Sequence, residues 1–262
     1  MPDYNELCSA FQALGLQEAP VIAHASLKPF GYIEGGAEAV LNAILASFAG
    51  VIMPTHTYKT KIIPEVGPPN NGIVYGNGVY KNKMAQPFHL SMRVDSMMGI
   101  LPETLRCHPQ AMRTAHPILS FAGVHADFAL VTQTLYEPLA PIGALAEQDG
   151  WVVLINVDHT VNTSIHYAEK LAGRKQFVRW ALVDERVIEC PNYPGDSMGF
   201  QAIEEHLRPD TRRVNIGDAF IDAVPLRRLL EVVQGLIRRN PLALLCDQPD
   251  CERCTAVRIT GR

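Results

Sequence analysis

Apolar residues along this chain follow two periods, one helical and one of short continuous runs. Leu7, Cys8, Phe11 and Leu14 recur at helical spacing from Asn5 to Leu16 and stop at Gly15, which predicts an amphipathic helix. Val21-Ile22-Ala23-His24 then reads as a strand, Ala37 to Phe48 as a helix, and Val51-Ile52-Met53, closed by Pro54, as a second strand. Strand, loop, helix and strand in that order form a βαβ-like unit. Downstream, Ser96 to Cys107 turns Met97, Ile100, Leu101 and Leu105 inward as a helix, and a strand runs up to Val124. Helices are predicted over Ala126 to Thr134 and Pro141 to Gln148, followed by a buried strand, Trp151 to Val157, and a helix, Thr163 to Leu171. Gln176 to Val183 and Arg186 to Cys190 read as a hairpin turned at Asp184-Glu185. Met198 to Leu207 and Ala219 to Arg239 read as helices, the second broken or restarted at Pro225, and Leu242 to Leu245 as a last strand.

The alternation of strands and helices, with no repeat and no long linker, predicts one mixed α/β domain over residues 1–262, a central mixed sheet flanked by helices. One stretch departs from that regularity. Thr55 to Met92 is rich in Pro, Gly, Asn and Tyr and has little periodicity, so an excursion over about 55–95 is either a substrate loop or a place where short strands escape detection.

Composition narrows the classes. With 47% hydrophobic and 19% charged residues in 262, the chain reads as an ordinary globular protein. No apolar run reaches roughly 18 residues and no signal pattern opens the chain, so a cytoplasmic location without a membrane partner is expected. The net charge of −4, from 27 acids and 23 bases spread without runs, gives no nucleic-acid footprint.

The chemistry is concentrated in Asn162-Thr163-Ser164-Ile165-His166-Tyr167-Ala168-Glu169. Residues three apart share a helix face, so Thr163, His166 and Glu169 line one side of a helix that starts at a strand's carboxyl end, where α/β proteins bind ligands. A histidine can take a proton near neutral pH while a carboxylate fixes its tautomer, which makes His166 the candidate general base. The plainer alternative makes Thr163 a cap, His166 an interior histidine, and Glu169 a surface partner of Lys170 or Arg174. Gly35-Gly36 before a helix could cradle a phosphate or simply turn the chain.

Of six cysteines, Cys8, Cys107 and Cys190 stand alone, while Cys246, Cys251 and Cys254 cluster near the end. Those three could serve zinc, but a structural site takes four ligands and no second pair stands nearby in the sequence. Plain thiols or a local disulfide are the favoured reading, with no metal assigned.

Four ordered motifs carry a resemblance. They are His24-Ala25-Ser26-Leu27-Lys28-Pro29-Phe30-Gly31 with Gly35-Gly36, the run Val51-Ile52-Met53-Pro54, Arg113-Thr114-Ala115-His116-Pro117 with Ser120, and the Asn162–Glu169 segment. In order and spacing the chain resembles the aminoglycoside 3-N-acetyltransferases, from about residue 5 to 254. The resemblance implies an antibiotic N-acetyltransferase-like fold and acetyl transfer from acetyl-coenzyme A, as co-substrate, to a small-molecule amine, most often an aminoglycoside. It implies catalysis by His166 with Glu169; the oxyanion such a reaction forms would be met by backbone N–H groups after His24 or by the Thr163 hydroxyl. Coenzyme binding would fall to His24, Ser26, Leu27, Lys28, Arg113, His116 and Ser120. Glu103, Asp158 and Asp196 are the candidate acceptor-binding acids, and a monomer or homodimer is expected.

Departures concern the acceptor. The excursion carries Lys59, Lys61, Lys81 and Lys83 among few acids, which is unsuited to a polycation if those lysines face the site. Two other classes remain open: a metal-dependent hydrolase built on some of the nine histidines, and a silent binder of coenzyme or amine.

Overall fold

The computed structural model describes residues 2–261. Three short apolar runs, β1 (Pro20–Ala25), β2 (Gly50–Pro54) and β6 (Trp151–Ile155), form its parallel centre. Each run is almost wholly buried, because helices cover both faces and leave no polar side for an alternating pattern. In chain order the remaining strands are β3 (Lys61–Ile62), β4 (Met112–Arg113), β5 (Phe121–Val124), β7 (Phe177–Val183), β8 (Arg186–Tyr193), β9 (Arg212–Ile216) and β10 (Ala219–Pro225). The main sheet runs β4-β5-β2-β1-β6-β10-β9, with antiparallel strands added outside the parallel three. A second, antiparallel sheet is ordered β3-β7-β8.

The helices are α1 (Tyr4–Ala13), α2 (Gly36–Ser47), α3 (Val79–Lys83), α4 (Ile100–Cys107), α5 (Asp127–Leu130), α6 (Ala140–Glu147), α7 (Thr163–Leu171), α8 (Glu204–Leu207), α9 (Leu226–Arg239) and α10 (Glu252–Thr260). One core joins α1, α2 and α4 to the sheet face bearing Val21, Ala23, Val51, Val153 and Ile155. The opposite face, with Ile22, Ile52, Val152 and Leu154, packs on α5, α6, α7 and α9. Alternate residues of the same strands therefore feed different cores. Each large aliphatic side chain so buried contributes on the order of 1.5–3 kcal/mol.

Several sequence expectations change. The predicted helix from Ala219 is strand β10 up to Pro225, and α9 begins at Leu226. Proline marks the changeover correctly, but a strand buried on both faces has no alternation to distinguish it from helix. Leu242 to Leu245 forms turns rather than a strand, and β9, a polar edge strand, has no counterpart in the sequence reading. The helix expected over Ser96–Cys107 is split at Gly99, whose φ of 84° separates a 3-10 turn from α4. The helices expected over Ala126–Thr134 and Met198–Leu207 shrink to α5 and to a 3-10 turn plus α8.

The excursion is tied down. Its β3 pairs with β7, the Asn71 amide bonds both backbone groups of Val178, and the Asn82 amide bonds those of Ile63. Lys59, Lys81 and Lys83 face solvent, whereas Lys61 is half-buried with its ammonium 4.4 Å from the centre of the Tyr58 ring. No helix among the described residues is long and apolar enough to cross a membrane.

Candidate active site

Parallel pairing aligns Ala25 of β1 with Ile155 of β6, so the segments leaving both strands emerge side by side. Asn156 fastens them: at a φ of 54°, its amide donates to the Ser26 carbonyl and accepts from the Phe220 N–H. Beyond it, Asn162 caps α7 by accepting from the Ser164 N–H at 3.1 Å. This cap fixes the first turn of α7, and with it Thr163 and His166, at the wall of a cleft of about 660 Å³.

His166 Nδ1 lies 2.8 Å from Glu169 Oε2, and Glu169 Oε1 accepts from Arg174 Nη1 at 2.6 Å. Arg174 Nη2 also donates to the carbonyls of Pro241 and Ala243, each at 2.7 Å. The Glu169 and Arg174 side chains are both 2% exposed, so the pair is interior rather than the surface partner considered from spacing. With Nδ1 committed to the carboxylate, Nε2 is the ring nitrogen left to accept a proton. Phe200 packs on the imidazole at 4.7 Å between ring centres and holds its plane. The spacing showed the histidine and carboxylate; the arginine five residues on carried no motif.

His24, Ser26, Leu27 and Lys28 line the same cleft. The Ser26 N–H is taken by the Ile155 carbonyl, but the N–H groups of Leu27 and Lys28 have no partner among the described residues. His56, which sequence reasoning missed, lies just past the end of β2 and also lines the cleft. Its Nδ1 meets the Tyr58 hydroxyl at 3.0 Å. The signal that could have found it is a Thr-His-Thr stretch at the carboxyl end of a buried parallel strand. Tyr58, Lys61, Tyr193, Gly195 and Arg253 also line the cleft.

Other predicted residues lie elsewhere. Arg113 is a fastener: its guanidinium donates to the carbonyls of Thr55 and Leu90, each at 2.9 Å, and to that of Met92. Ser120 Oγ donates to the Thr55 carbonyl at 2.7 Å, and His116 Nδ1 accepts from the N–H groups of Ile118 and Leu119. None of the three lines the cleft; their bonds brace the segment that carries His56. Glu103 borders a separate groove on α4, bonded to Arg106 and the Val94 N–H. Asp158 caps a 3-10 turn through the Thr160 N–H, and Asp196 pairs with Arg253. The three acids chosen for an acceptor are thus engaged outside the cleft lining, because each has a nearer donor.

Burial dominates the titration of the interior histidines. It holds His24 and His56 down to about 3 and His116 to about 4, with a neighbouring imidazole adding to the first two. In the unfolded chain these groups return to the ordinary 6.5 and bind the extra protons. Their contribution to stability is therefore full above pH 6.5 and is lost as pH falls toward the folded values, by about 1.4 kcal/mol per pH unit for each histidine. Urea unfolding should show a clearly lower midpoint at pH 5 than at pH 7; equal midpoints would contradict neutral burial.

A mixed sheet with a histidine–carboxylate pair beside a cleft at the carboxyl ends of its parallel strands defines an α/β protein with a ligand site in the usual place. The sequence profile of the aminoglycoside 3-N-acetyltransferase family matches residues 22–238, and the chain belongs to that family. Aminoglycoside N(3)-acetyltransferase VII of Streptomyces paromomycinus is 30% identical over 200 residues, covering 70% of this chain and 67% of its own. The SPbeta prophage-derived aminoglycoside N(3')-acetyltransferase-like protein YokD of Bacillus subtilis (strain 168) is 28% identical over 167 residues. That match spans 60% of this chain and only 61% of the Bacillus protein's length. Among solved structures, aminoglycoside acetyltransferase AAC(3)-IVa as apoenzyme superposes with a TM-score of 0.78 at 22% identity, covering 98% of this chain and 96% of that one. AAC-IIIb in binary complex with CoASH superposes at 0.72 and 21% identity, covering 91% and 97%. At these identities the structural likeness speaks for the fold.

Proposed function

We propose that this protein is an acetyl-coenzyme A-dependent N-acetyltransferase in which His166 is the general base. The observation that carries the reading is the chain Arg174–Glu169–His166, which ends in a cleft with Nε2 unengaged among the described residues. The acceptor amine must reach the acetyl carbonyl carbon as free base, about 3–3.5 Å away. As the N–C bond forms, its proton passes to Nε2, and the imidazolium is stabilised by Glu169. The C–S bond then breaks, and the departing thiolate recovers that proton. Thr163 and the N–H groups of Leu27 and Lys28 are the donors suited to the oxyanion. No cysteine lines the cleft among the described residues, which supports direct transfer over a covalent acyl-enzyme.

The coenzyme fits on charge. Lys28, Lys61 and Arg253 line the cleft, and no carboxylate among the described residues does. Lys28, exposed at the mouth, suits a phosphate, so Lys28→Ala should raise KM for acetyl-coenzyme A several-fold and flatten its salt dependence while sparing kcat. An unchanged KM at low salt would remove Lys28 from coenzyme binding.

Family membership favours the 3-amino group of a 2-deoxystreptamine aminoglycoside as acceptor. Solved relatives include a mutant of AAC(3)-IVa in complex with apramycin and AAC-VIa bound to sisomicin. The cleft lining favours a second reading: with Lys28 and Lys61 in it, Arg253 neutralised by Asp196, and no carboxylate among the described lining residues, it offers a polycation little counter-charge. An acceptor with one amine, or with an anionic group beside it, meets no such repulsion. Thiol release with acetyl-coenzyme A and a panel of aminoglycosides, monoamines and amino acids separates the two. Turnover confined to the aminoglycosides establishes the first reading, and turnover confined to the others the second.

A further inference from the structure

Counted along the sequence, the C-terminal tail offers three thiols, one fewer than a closed zinc site takes. The fold supplies a fourth donor. Asp196, in the loop after β8, lies against Cys246, Cys251 and Cys254, and one ligand atom from each sits within 4.8 Å of all the others. The sulfurs of Cys246 and Cys254 are 3.3 Å apart. Sulfurs placed about 2.3 Å from a tetrahedral zinc are separated by about 3.8 Å, so small side-chain rotations bring this set to that geometry. Cys246 and Cys254 are buried and the other two donors half-buried.

The surroundings suit an anionic cluster. Three thiolates and a carboxylate around a divalent ion leave a net charge of about −2. Arg253, within the C-x-x-C, donates to Asp196 Oδ2 at 2.9 Å, and Arg258 donates to the Cys246 carbonyl. Cys251 precedes the first turn of α10 and Cys254 lies in it, where the helix dipole is positive. Asp196 Oδ1 accepts from the Met198 N–H at 3.0 Å, and each carboxylate oxygen has a second lone pair for a metal.

We propose that Asp196, Cys246, Cys251 and Cys254 form a structural Cys3Asp zinc site. Four protein donors leave no open position for chemistry, and none of the four lines the cleft. Their neighbours Gly195, Ser197 and Arg253 do line it, so the metal would fasten α10 and the loop after β8 behind that wall. This site is independent of the acetyl-transfer reading.

The test is metal analysis of the full-length protein purified under reducing conditions without added metal. About one zinc per chain is expected, and zinc-stripped protein titrated with cobalt(II) should develop thiolate-to-cobalt absorption of a four-coordinate site. Chelation should lower Tm by at least about 5 °C, with recovery on adding zinc. Asp196→Cys should keep the metal, while Asp196→Ala should weaken cobalt binding at least about tenfold. Zinc far below one equivalent with no cobalt–thiolate band would overturn the proposal. So would an intact mass showing Cys246 and Cys254 joined as a disulfide in protein purified without oxidant. The wild-type readings decide the matter even if a variant fails to fold.

Discussion

Alanine at His166 is expected to lower kcat for acetyl transfer by about 10² to 10⁴, with coenzyme affinity and Tm close to wild type. The expectation follows from how the imidazole is held. Nδ1 is occupied by Glu169 and the ring packs edge-to-face with Phe200, while His166 lines the cleft and Nε2 makes no bond among the described residues. Removing the ring leaves Glu169 still paired with Arg174, so no buried charge is stranded and the fold has little reason to weaken. A steady-state thiol-release assay beside equilibrium coenzyme binding checks both halves. A kcat within about threefold of wild type would take His166 out of the mechanism.

The largest effect on stability should come from Arg174→Ala, at about 3–5 kcal/mol. Its guanidinium neutralises Glu169 and joins α7 to the segment after α9 through two carbonyls. Truncation leaves a carboxylate that is 2% exposed without its cation and removes the donors of Pro241 and Ala243. Tm should fall by about 10 °C on that basis. Arg174→Lys should rescue only part of the loss, because an ammonium cannot span a carboxylate and two carbonyls as a planar fork does. A shift of under about 2 °C in Arg174→Ala would show that Glu169 is solvated in a way the fold does not support.

What could be read from the sequence depended on whether local pattern or distant packing carried the signal. The βαβ start, the strand at Trp151 and the helix carrying His166 all have helical spacing or turn residues beside them. Ala219–Pro225 lacked such a marker, since a strand covered on both faces shows the same unbroken apolar run as a buried helix. The histidine–glutamate pair was visible because helical spacing sets it. Arg174, His56 and Lys61 reach the site region through tertiary packing: Arg174 could be named from spacing only as a surface partner of Glu169, Lys61 only as one of four lysines of the excursion, and His56 only by its place after a buried parallel strand. For the acids, the sequence shows the chemistry but not the partners: Glu103 and Asp196 are bonded to Arg106 and Arg253. Asp196 is also the fourth member of the cysteine cluster, 50 residues from Cys246 along the chain, beyond the reach of any spacing rule.

Direct acetyl transfer to an amine is tested by mixing stoichiometric protein with acetyl-coenzyme A and following thiol release with and without the acceptor panel, with products identified by mass. No early release is expected without amine, and with a suitable amine each thiol released should be matched by one N-acetylated product. A burst of thiol without amine, with the acetyl group retained on the protein, would contradict direct transfer.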